Sequence, residues 1–132
     1  MTHRLETIIF AIDQGQDLHT RAKFLRHIDT ARAMGTLRDG FQIAIGYWEG
    51  LLETSYIMSR RDYEKLVVPI GATRDQVCVL AVSGDTRQPC VLEFPDGSTE
   101  TVGVMKEVSP NEIHHHSAWT FVESTGKYFT TV

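Results

Sequence analysis

Nothing in this sequence approaches the roughly 18 consecutive apolar residues that a membrane-spanning helix needs. The opening residues, Met1-Thr2-His3-Arg4-Leu5-Glu6, also lack the apolar stretch of a secretory signal. The chain is therefore expected to stay in the cytoplasm where it is made, with no membrane partner. Cysteine is scarce: Cys78 and Cys90 are the only two, and both lie in apolar, β-like segments. That excludes a disulfide-stapled scaffold. A bond between paired strands is geometrically conceivable, but two reduced thiols packing as small hydrophobes are expected. Positive charge is in deficit, with 13 Lys and Arg against 17 Asp and Glu and a net charge of −4. A long nucleic-acid partner wants a basic footprint, so none is expected. One compact anion in a locally basic pocket is still compatible with that balance.

Catalytic signatures are missing too. There is no Gly-x-Ser-x-Gly elbow and no glycine-rich phosphate loop. Ser124-Thr125-Gly126-Lys127 has the Ser-x-x-Lys spacing but reads as a hairpin turn. The two cysteines have no neighbouring base, and apolar surroundings raise a thiol pKa. Glu49 and Glu53 flank a turn, where like charges face each other unfavourably, so they read as solvated acids. His114-His115-His116 beside Glu112 invites a metal reading. Three adjacent histidines cannot converge on one ion, however, and His114 with His116 would make only half a site. Neither metal nor cofactor is expected, and the chain does not read as an enzyme.

What is present is an alternation of strand and helix signals. Leu5 to Ile12 contains the β-branched run Ile8-Ile9-Phe10-Ala11-Ile12, a buried strand ended by Asp13-Gln14-Gly15-Gln16. Asp17 is a good N-cap for a helix whose apolar residues Leu18, Ala22, Leu25, Ile28 and Ala31 recur at helical spacing, with Gly35 as C-cap. Phe41 to Tyr47 and Leu52 to Met58 read as a strand pair, with Gly46 and Gly50 allowing a bulge or tight turn. A short helix follows from Ser59, with Tyr63, Leu66, Val67 and Ile70 on one stripe, ended by Pro69 and Gly71. Gln76 to Val82 is apolar on both faces and reads as a central strand. Cys90 to Phe94 and Ser98 to Met105 flank the turn Pro95-Asp96-Gly97. Val108 to Ser117 is irregular or one helical turn. Trp119 to Glu123 and Lys127 to Val132 form a last hairpin. The expected fold is a single α+β domain over 1–132: a mainly antiparallel β-sheet with two helices packed on one face, in the order β-α-β-β-α-β-β-β-β-β.

The remaining chemistry is a basic helix. Arg21, Lys23, Arg26 and Arg32, with Arg60-Arg61 at the second helix, concentrate positive charge on an acidic chain. A solvated helix face is one explanation. The other is a phosphate pocket, since guanidinium forks match phosphate oxygens. Tyr47, Trp48, Phe94 or Trp119 would then stack on a purine. Chosen on chemistry, the candidate ligand-binding residues are Arg26, Arg32, Tyr47, Phe94 and Trp119.

Several stretches together carry a resemblance: Gly46-Tyr47-Trp48-Glu49-Gly50, then Glu53-Thr54-Ser55-Tyr56-Ile57, Tyr63-Glu64-Lys65-Leu66, Gln76-Val77-Cys78-Val79-Leu80, Leu92-Glu93-Phe94-Pro95-Asp96-Gly97, Trp119-Thr120 and Gly126-Lys127-Tyr128. The pattern is similar to the phage Thoeris anti-defence sponge proteins of the first type. The resemblance implies a phage protein acting in the host cytoplasm. It would bind a cyclic ADP-ribose-type nucleotide signal, hold it intact, and assemble as a homo-oligomer with pockets at subunit contacts. Its binding residues do not map onto this chain one by one. A different class of function is an interaction module or host-enzyme inhibitor acting through the aromatic hairpin from Gly46 to Ser55.

Overall fold

The structure, a computed structural model, describes residues 6–12 and 17–132. The expected start of the first strand at Leu5 and the expected turn over 13–16 lie outside the described residues.

Among the described residues, eight strands and two α-helices follow one another as β1 (Thr7–Phe10), α1 (Leu18–Ala33), β2 (Gln42–Trp48), β3 (Leu51–Ser59), α2 (Arg60–Leu66), β4 (Val79–Val82), β5 (Pro89–Glu93), β6 (Thr99–Val108), β7 (Ala118–Val122) and β8 (Lys127–Thr131). Short 3-10 turns cover Val68–Ile70 and Pro110–His115. Local chemistry explains the boundaries. Asp17 caps α1 by accepting from the His19 amide at 3.1 Å. Ser59 caps α2 through the Asp62 amide at 3.1 Å. Between β2 and β3 the turn residues Glu49 and Gly50 both have positive φ, 48° and 90°, the backbone that a tight two-residue hairpin requires.

The expected open sheet with two helices on one face is overturned. The strands form a closed antiparallel barrel in the order β1-β3-β2-β7-β8-β6-β5-β4. The ring is sealed where β4 returns to β1, pairing Thr7 with Val82, Ile8 with Ala81 and Ile9 with Leu80. Closure reverses the meaning of strand alternation, because the second face of each strand meets the barrel interior instead of solvent. The helices cover only part of the outer wall. Their apolar residues join the outward side chains of β1, β3 and β4 in one core that includes Ile8, Phe10, Phe24, Ile28, Tyr56 and Met58. Phe10, Phe24, Phe41 and Tyr56 pack ring on ring there, with centroids 5.0–6.2 Å apart.

Two polar clamps fix the helical side. Asp62, 1% exposed, accepts from the amides of Arg38 and Asp39 and pins the chain entering β2. Arg60 reaches Glu6 ahead of β1 (2.7 Å) and both carboxylate oxygens of Glu93 at the end of β5, which raises its already high pKa. His27 on α1 meets the Leu66 carbonyl of α2 at 2.8 Å, so this histidine links the helices. Among the described residues no helix is long and apolar enough to cross a membrane.

Candidate functional site

The barrel interior holds a cavity of about 290 Å³. Ile9, Leu80, Leu92, Val102, Met105 and Phe129 supply its apolar wall, one or two from each of several strands. Its polar groups include Glu53 and Ser55 on β3 and Thr120 on β7, where β2, β3 and β7 run side by side, together with Thr131 on β8 and Gln76 ahead of β4. The cavity extends to the β2–β3 hairpin, where Trp48 and Leu51 line it yet remain 52% and 71% exposed, which marks a mouth.

Pairing register explains why these side chains meet. Gly46 lies opposite Glu53 on one side and opposite Thr120 on the other. Its missing side chain leaves room that Ser55 uses: a Cβ at Gly46 would come within 2.7 Å of Ser55 Oγ. Gly46 is therefore a packing glycine and not the turn or bulge its sequence context suggests. Glu53 is exposed, as expected of a solvated acid, but it stands on β3 at the cavity instead of in the turn, and partial burial raises its pKa. Much of its surface is still accessible, as expected for a group facing an open cavity. It forms no hydrogen bond or ion pair with another described residue. Sequence alternation did carry the signal, since Leu51, Glu53, Ser55 and Ile57 share one side of β3. That side reads as solvent-facing only if the sheet is open.

A second hollow of about 380 Å³ adjoins the first and shares Gln76 and Cys78 with it. Arg74, Thr73, Tyr63 and Phe94 line it, with Glu93, whose carboxylate Arg60 already holds. Gly71, with φ +68°, lets the Arg74 guanidinium lie against its backbone, where any Cβ would collide with it. Tyr63 Oη and Thr73 Oγ1 are 2.9 Å apart.

Of the five residues chosen from sequence, two come together. Tyr47 and Trp119 are register partners whose rings stack at 5.2 Å and 10°. Both contribute to the cavity lining. By alternation their rings project to the outer face, where Trp119 also meets Tyr128 edge-on at 5.4 Å. Phe94 lies in the Arg74 hollow. Arg26 is exposed on α1, and Arg32 pairs with Asp29 at 2.8 Å beside a shallow groove containing Phe41 and Ser124. Neither arginine lines the barrel cavity, because α1 turns Phe24, Ile28 and Ala31 to the core and leaves these positions outward. The guanidinium next to the cavity is Arg74, which sequence reasoning passed over because it falls in a loop.

The thiols are poor nucleophiles here. Burial pushes both up, and the Glu100 charge adds to the effect at Cys78. Both are free, and Cys90 is fully buried. His114 and His115 are exposed with rings 4.1 Å apart, and among the described residues no group of three or more His, Cys, Asp or Glu is placed to hold a metal. No family model matches the chain, and no curated protein matches it.

Proposed function

We propose that this protein binds a small molecule in its barrel and holds it without chemical change. The carrying observation is a cavity of about 290 Å³ whose wall is mostly apolar and carries a small number of polar groups, Glu53, Ser55, Gln76 and Thr120 among them. Among the described residues of this lining, no histidine or lysine stands beside Ser55, Thr120 or the raised-pKa Cys78.

The ligand we propose is a compact cyclic nucleotide of the ADP-ribose type, sequestered by a phage protein against a host defence signal. The resemblance in sequence supplies that class. The two adjoining hollows support it in chemistry, with a base in the barrel and a phosphate beside Arg74. Incubation with cyclic ADP-ribose isomers, removal of excess, heat denaturation and analysis of the supernatant tests it. Intact ligand in the supernatant is the expected result. Degraded ligand would contradict sequestration, and no retained ligand would contradict binding.

A second reading has one observation in its favour. Trp48, Leu51 and Leu52 are 52%, 71% and 62% exposed on a single hairpin, an apolar tip suited to another protein or to a second copy of this chain. Light scattering of the wild type and a Tyr47→Ala/Trp48→Ala variant separates these cases. A homo-oligomer that dissociates in the variant supports the tip as a subunit contact, and an unchanged mass counts against it.

A further inference from the structure

We propose that Glu53 is the specificity residue of the barrel cavity, selecting ring-bearing ligands that present an N–H donor at its carboxylate. The inference rests on the barrel being the binding site, and it adds what that site recognises.

Three observations carry it. First, among the described residues that line the cavity, Glu53 is the only Asp, Glu, Lys, Arg or His. Second, the carboxylate has no partner among the described residues, although Gly46 opposite it offers no side chain to screen it. Glu53 is exposed toward the open cavity, so its carboxylate is accessible to a donor that a ligand brings, and a hydrogen bond to a charged group is stronger than one between neutral groups. Third, the neighbouring polar groups do not satisfy it. Ser55 Oγ occupies the space above Gly46, and Thr120 stands beyond Gly46 on the next strand. The cavity thus offers the Glu53 carboxylate as its charged acceptor, with Gln76 and Thr131 as neutral polar groups elsewhere in the wall.

Among the described residues that line the cavity, charge has one sign. Besides Glu53, the acid Glu100 is close enough to raise the Cys78 thiol, and among the described residues no cationic side chain lines the cavity to offset either. An anionic group would be repelled from the barrel, while a neutral or cationic nitrogen would be drawn to it. The guanidinium that lines the adjoining hollow is that of Arg74. A ligand with a donor-bearing ring and an acidic tail would therefore bind in one orientation, ring inward.

The test uses pairs of purines that differ by an amine and a methyl of nearly equal size. Adenine and 6-methylpurine are the first pair, with binding read by calorimetry and by indole fluorescence. Wild type is expected to prefer adenine by about tenfold or more, as for a hydrogen bond to a charged group. Glu53→Leu should abolish the preference while keeping or strengthening 6-methylpurine binding. Glu53→Gln, which keeps shape and one acceptor, should show an intermediate preference and guards against a folding artefact in the leucine variant. A preference that survives in Glu53→Leu, or is absent in wild type that binds both purines, overturns the assignment but not the barrel site. Failure of wild type to bind either purine counts against both.

Discussion

At the scale of single residues, Glu53 links the candidate site to folding. Its carboxyl pKa is raised by burial, so the folded state holds the proton more tightly than the unfolded chain does. The stabilising contribution is fully present below the ordinary glutamate pKa and is lost as pH rises through the raised value. Urea unfolding of wild type and Glu53→Gln across the mildly acidic to neutral range checks this. The variant should gain on wild type as pH rises; a gap that stays constant would remove the premise. The same residue shows what sequence leaves hidden. Its position in a strand was readable, but its environment depends on which side of that strand is the inside.

At the scale of elements, β6 and β8 meet so closely that only glycine fits at 103. A Cβ there would run into the backbone of Val132, whose amide and carbonyl exchange hydrogen bonds of 2.9 and 2.8 Å with Val104. Gly103→Ala should cost about 1–3 kcal/mol through this overpacking, measured by chemical denaturation. A neutral substitution would show that the strand end gives way freely. The elements themselves were largely legible. The Asp17 cap, the strand at Leu52 to Met58, observed over Leu51–Ser59, and the turn at Pro95-Asp96-Gly97 all follow from local chemistry. The apolar stretch from Gln76 is less faithful: only Val79–Val82 is strand, and Gln76 and Cys78 instead form part of the wall between the two hollows.

At the scale of the whole molecule, closure was the illegible part. It depends on Thr7, Ile8 and Ile9 meeting Val82, Ala81 and Leu80, a contact between segments far apart in sequence that no local pattern announces. Ile8 is fully buried at this seam and belongs to the main core. Ile8→Ala should cost about 2–5 kcal/mol, and hydrogen exchange should then accelerate first at the amides of β1 and β4. Protection lost uniformly over all strands would argue that the seam is not the weak point of the ring.

The ring order has a further consequence during synthesis. Gly46 pairs on one flank with Glu53, which emerges from the ribosome almost at once, but on the other with Thr120, which appears some seventy residues later. Until then the nascent β2–β3 hairpin carries an unpaired backbone edge beside a bare apolar wall, the kind of surface on which half-made chains adhere to one another. In the closed ring the described strands offer no such edge, so the greatest exposure to misassembly falls in the interval before β7 and β8 arrive.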